Sequence, residues 1–217
     1  VASAGNLGLQ LIDKGDRLVS LTVAGGALTD ANDSSTIARL NLQAGEARLT
    51  ARQGIGPGNA LETRIATLTG MVTDGGNIEL HELDSLQIDS LQLTGPGSIL
   101  IQADQNLLVQ DRVQALPPAV GSAGGRPQIR LAAAENLRLA AGAQVTSAAS
   151  HDIIIAAVLD VSMQTGSSVK SSGGDLLIST DAQHRGHALV RDVEAVALRP
   201  VLAHQQPARQ ALADHVK

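Results

Sequence analysis

The chain is 217 residues long, 43% hydrophobic with a mean hydropathy of +0.08, and carries a net charge of -5 from 16 Lys+Arg and 21 Asp+Glu. It contains no Phe, Tyr, Trp or Cys, which excludes a disulfide framework, a thiolate metal site and a thiol nucleophile and removes the rings on which sugars and single-stranded nucleic acid usually stack. The basic residues occur singly, leaving no nucleic-acid or anionic-membrane footprint, and the longest apolar run, 153–159, is far short of the ~20 residues of a membrane-spanning helix.

Leu, Ile and Val together number 59, so a core must be built from branched aliphatic side chains alone. Such side chains suit narrow, layered interiors in which each position meets its like from the next layer. The chain starts Val1-Ala2-Ser3-Ala4-Gly5, without the charged start and apolar stretch of a signal peptide, and is read as a fragment of a longer protein or as a processed chain.

In chain order, a phrase of the form Gly-x-aliphatic-x-aliphatic recurs at Gly26, Gly45, Gly76, Gly97 and Gly174, with degenerate copies at Gln128–Leu131 and Asp152–Ile155. The aliphatic positions Ile78 and Ile99, Ile129 and Ile153, and Ile153 and Leu176 lie twenty-odd residues apart. The longer step from Ile99 to Ile129 carries a surplus around 117–127. A period in the twenties with one loop insertion is the pattern of stacked coils. Within one copy, Ile78, Leu80, Leu83, Leu86, Ile88, Leu91 and Leu93 are spaced by two or three. Steps of two are strand alternation, and steps of three turn a corner.

The expected fold is therefore all-β, a parallel β-helix of roughly ten coils and about 48 Å. It covers residues 1–200 as a single repeat region, with 201–217 as a tail or helical cap. The Ala-rich 132–141 continues the strand pattern through Leu137-Arg138-Leu139. Only Pro207–Lys217 reads as a helix, with Pro207 in its first turn and Ala208, Ala211, Leu212 and Val216 on one face. The five-residue steps of Leu83–Leu93 also fit a pentapeptide-repeat helix, but that spacing fails beyond Gly95.

The phrases Gly-Asn-Ile-x-Leu at Gly76, Gly-Ser-Ile-Leu-Ile-Gln-Ala at Gly97, Gly56-Pro57-Gly58-Asn59-Ala60-Leu61-Glu62-Thr63 and Asp84-Ser85-Leu86-Gln87-Ile88 resemble the repeat region of filamentous-haemagglutinin-like bacterial adhesins. The resemblance extends over about residues 5–200. It implies a right-handed parallel β-helix, export across the outer membrane of a Gram-negative bacterium through an outer-membrane partner, and a secreted or cell-surface structural role in attachment. The partner would be a receptor or glycan on a host or neighbouring cell. The Asn-Pro-Asn motif of that family's secretion domain is absent, which points to an internal or carboxyl-terminal stretch.

Candidate chemistry is sparse. The histidines are His81, His151, His184, His187, His204 and His215. His184 and His187, with Asp181 or Asp192, could approach a metal, though Gly186 reads as a solvated turn. Asp74, Glu79, Glu82 and Asp84, with His81 among them, form the densest acidic group, and two carboxylates could act as acid and base; outward polar residues are equally expected on a solvent-facing strand. Asp30-Ala31-Asn32-Asp33 offers too few oxygens for calcium and reads as a polar turn. The glycine clusters Gly54–Gly58 and Gly121–Gly125 match no nucleotide-binding motif and read as turns. No residue receives a catalytic, cofactor or metal assignment, and the chain is not expected to be an enzyme. The competing readings are a β-helix carbohydrate-active enzyme, distinguished by polar side chains of successive coils converging in a groove, and an inert spacer.

Overall fold

A computed structural model of the chain describes residues 1–32, 39–116, 127–148, 151–180 and 188–190, the last as backbone. The described residues are all-β, without a helix. Their parallel strands stack as a solenoid of about 7 turns, roughly 23 residues apart. This is the expected architecture with fewer layers than the ten anticipated. The turn from Ile99 to Ile129 is long, and among the described residues the parallel ladder runs as far as Leu176–Ser179. Seven steps of about 4.8 Å give a rod of about 34 Å. The proposed tail helix Pro207–Lys217 and residues 117–126 of the insertion lie outside the described residues.

One inward position can be followed from end to end. Leu7, Leu28, Ile55, Ile78, Ile99, Ile129, Ile153 and Leu176 pair successively in parallel register, and all but Leu7 are buried. The phrase seen in the sequence predicts most of this ladder, but Ile55 sits inside a glycine run read as a turn. Gly56 makes its placement possible, with φ of 66° and its α-carbon so close to the next turn that a Cβ would stand 2.3 Å from the Glu79 carbonyl oxygen. The chain then makes a short excursion through 57–60 before Leu61 rejoins the ladder opposite Leu80.

A polar ladder runs beside the aliphatic one. At four of the seven steps the residue preceding the ladder aliphatic offers a side-chain oxygen to the N–H of its equivalent in the next turn. Ala27 N–H donates to Asn6 Oδ1 at 2.9 Å, Ser98 N–H to Asn77 Oδ1 at 2.9 Å, Gln128 N–H to Ser98 Oγ at 3.1 Å and Asp175 N–H to Asp152 Oδ1 at 2.8 Å. These bonds tie turn to turn at the corner where the backbone enters the strand, so a group that would otherwise lose its partner keeps one.

Further along each turn, Val19, Ala47, Leu68, Ile88, Val109, Leu139 and Met163 stack in the same way. Residues 136–139 are a strand with Leu137 and Leu139 buried, as the strand reading of 132–141 requires. The sequence reading placed Leu83 inward, and the structure corrects it. Strand alternation continues through Ile78, Leu80 and Glu82, so that Glu82 is buried, whereas Leu83 sits half-buried on the corner. At the last turn Ala188–Val190 pairs antiparallel with Leu176–Ile178, closing that edge of the sheet.

Candidate functional site

The second inward ladder contains Ile12, Leu42, Thr63, Glu82, Ala103, Ala133 and Ala157. After it, every turn bends into its next strand, and the number of residues used for that bend differs. Between Glu82 and Gln87 the chain spends residues 83–86, whereas the equivalent stretches in the two preceding turns are only 43–45 and 64–66. The first turn uses 13–17. Strands Leu42–Ala51 and Leu61–Val72 therefore run through the corner unbroken, and the turns on either side bulge past them.

The result is a notch of about 480 Å³ that crosses five successive turns. Asp16 stands on one wall, Gln43 and Arg64 rise from the two floor strands, and Asp84, Ser85 and Gln105 form the other wall. The floor between them is small and apolar: Ala44, Gly45, Ile65 and Ala66. Gly45 is required because a Cβ there would lie 2.3 Å from the Asp16 carbonyl oxygen; its N–H donates to the Arg17 carbonyl at 3.1 Å, seating the wall on the floor. Ser85 Oγ donates to Gln105 Oε1 at 3.2 Å. Among the described residues, the side chains of Asp16, Gln43 and Arg64 make no hydrogen bond or ion pair.

Glu82 lies directly behind this notch. Where Leu61–Val72 continues straight, the next turn swings outward, and the Ile65 N–H loses the carbonyl that a regular parallel ladder would supply. Glu82 Oε2 takes its place, accepting from Ile65 N–H at 3.1 Å and from Thr63 Oγ1 at 2.8 Å, while Oε1 has no hydrogen-bond partner among the described residues. Burial pushes the Glu82 carboxyl up to about 9, and neighbouring Asp84 adds to the rise, against the opposing bonds from Thr63 and Ile65. At neutral pH the group is an uncharged acid in an aliphatic core, which is the state that burial favours.

The acidic group expected from the sequence does not converge. Asp74 pairs with Arg52 at 3.0 Å, Glu79 accepts from Asn77 Nδ2 at 2.7 Å and Gly58 N–H at 3.2 Å, Glu82 points into the core, and only Asp84 reaches the notch. Glu82 is thus corrected from an outward to an inward group. His81 Nε2 contacts Asp104 Oδ1 in the next turn at 2.8 Å. Glu62, opposite His81, is raised by burial and by the Asp30 charge, against its own backbone hydrogen bond and His81. Asp30 is bonded by Asn32 N–H, Asn41 Nδ2 and Asn59 Nδ2, which makes it a turn organiser with its oxygens occupied.

His151 is buried, its ring nitrogens make no hydrogen bond among the described residues, and burial lowers its pKa. His184, His187, Asp181, Asp192, His204, His215, Asp33 and Gly121–Gly125 lie outside the described residues. Among the described residues no group of three or more His, Asp or Glu is placed to hold a metal ion, and no helix is long and apolar enough to cross a membrane.

Sequence reasoning missed Asp16, Gln43 and Arg64. They sit in different turns, and the one signal that could have found them is the shortened corner, which becomes visible only once the register is known. No known protein family, curated protein or solved structure matches the chain.

Proposed function

We propose that this chain is a stiff adhesive segment of a large exported surface protein of the filamentous-haemagglutinin-like kind, from a Gram-negative bacterium. The observation that carries the reading is the uninterrupted eight-residue aliphatic ladder. A rod held layer to layer by parallel main-chain pairing resists bending, and its outward strands present side chains at a fixed pitch for contact with another surface. The test is attachment of beads coated with the intact chain to host or neighbouring bacterial cells. Attachment above that of beads carrying an unrelated acidic protein supports adhesion, and equal attachment reduces the segment to a spacer. Deleting 117–127 asks whether that insertion holds the contact.

One observation favours a second reading. Polar side chains of five successive turns line a single notch, the arrangement by which a β-helical carbohydrate-active enzyme is distinguished. Release of new reducing ends or unsaturated products from a panel of polysaccharides by the intact chain, abolished in Asp84→Asn, would establish it.

A further inference from the structure

We propose that the corner notch binds a neutral oligosaccharide seated between its two walls. This deepens the adhesive reading and rests on it for its biological setting. The notch spans five layers, about 19 Å at 4.8 Å per layer, and its volume falls in the range of small-ligand sites. The turns that carry Asp16 and Asp84 stand at its two ends along the axis, so it suits a short saccharide seated between them.

The lining decides the chemistry. Arg64 only donates, the carboxylates of Asp16 and Asp84 only accept, and Gln43, Ser85 and Gln105 do both. A hydroxyl donates and accepts through a single atom, and a row of hydroxyls can use every member of this set. A polyanion would meet two carboxylates, and a polycation would meet Arg64. The small floor of Ala44, Gly45 and Ala66 leaves room for the C–H face of a sugar ring. With no aromatic residue in the chain, recognition here depends on hydrogen bonds, and affinity falls steeply when one of them is removed.

The site is also pre-formed. Glu82 holds the Ile65 N–H from inside, and Gly45 seats the Asp16 wall against the floor. Rigid walls reduce the ordering cost of binding. The side chains of Asp16, Gln43 and Arg64 come from three successive turns and make no hydrogen bond or ion pair among the described residues, which leaves their polar groups available.

The experiment is amide chemical-shift mapping on the intact 217-residue chain, titrated separately with cellohexaose, laminarihexaose, chitohexaose, a heparin-derived hexasaccharide and an oligolysine. The proposal expects at least one neutral hexasaccharide to shift the amides of 43–45, 64–66 and 84–85. It expects Arg64→Ala and Asp84→Ala each to weaken that binding at least tenfold, with Lys170→Ala leaving it unchanged. It is overturned if no neutral probe shifts these amides at millimolar concentration, if only heparin or oligolysine does, or if the shifts map elsewhere. Unchanged spectra of the two variants away from the notch establish that they fold.

The bead assay separates this from the adhesive reading. Attachment retained by the Arg64→Ala, Asp84→Ala double variant leaves adhesion standing and removes the notch as its contact. A neutral oligosaccharide bound by a chain that attaches to no cell does the reverse.

Discussion

Thr63 and Glu82 occupy the same inward position of successive turns, and the Thr63 hydroxyl donates a 2.8 Å hydrogen bond to Glu82 Oε2 inside the core. The same oxygen accepts from Ile65 N–H. A carboxyl is retained here because it replaces a backbone carbonyl that the shortened corner takes away. Glu82→Gln keeps an acceptor for both donors and is expected to stay within about 1 kcal/mol of the parent at neutral pH. Glu82→Ala leaves the Ile65 N–H unpaired in the interior and is expected to cost about 1–3 kcal/mol. Urea unfolding followed by far-ultraviolet circular dichroism distinguishes the two.

The same residue sets a pH dependence. Its carboxyl stands at about 9 in the folded chain against 4.5 in the unfolded one, so both forms are protonated below pH 4.5 and its contribution is intact there. Between 4.5 and about 9 only the unfolded chain has released the proton, so stability falls as pH rises. His151 acts in the opposite sense. Its folded pKa lies below 6.5, so its contribution is present above 6.5 and is lost as pH falls. The two slopes oppose below 6.5, and Glu82 acts unopposed by His151 above it. Tm should therefore decline from pH 6.5 towards 9, and Glu82→Gln should flatten that decline. A Glu82→Gln chain with the same alkaline slope as the parent would refute this.

Ile99 sits between Ile78 and Ile129 in the aliphatic ladder and is fully buried. Ile99→Ala is expected to cost about 2–5 kcal/mol, and hydrogen exchange should quicken in the turns on both sides. Arg130→Ala, on the outward side of the neighbouring strand, should change stability by no more than about 0.5 kcal/mol.

Gly56 and Gly58 both have positive φ, at 66° and 81°. A Cβ at Gly56 meets the Glu79 carbonyl oxygen at 2.3 Å, whereas one at Gly58 has nothing within 4 Å. Gly58→Ala should cost about 1 kcal/mol from backbone strain alone. Gly56→Ala should cost clearly more, because it also displaces Ile55 from the ladder. Equal losses in parallel thermal melts would count against this.

The layered core was legible because its signal is local. Ile78, Ile99, Ile153 and Leu176 each follow a Gly-polar or polar residue and begin an alternating strand, so aligning these phrases recovers the register seen in the structure. Ile55 escaped because two glycines disguise it as a turn. Glu82 and Leu83 were exchanged because hydrophobicity outranks strict alternation when a strand end is judged from sequence, while in three dimensions the Thr63 and Ile65 donors make the carboxyl the better inward group. The notch was illegible for a different reason. Asp16, Gln43, Arg64 and Asp84 share no local pattern, and their convergence follows from pairing distances that only the folded chain sets.

The shortened corner means that surface relief on this rod is made by omission. The two floor layers use one residue fewer than the layer after them and two fewer than the layer before, so restoring a single residue after Gln43 and after Arg64 should level the recess against the Asp84 wall while leaving the interior stack in place. In a scaffold of this kind, single-codon insertions and deletions act as a sculpting tool. They create or erase a contact surface without any change to the amino acids that hold the fold.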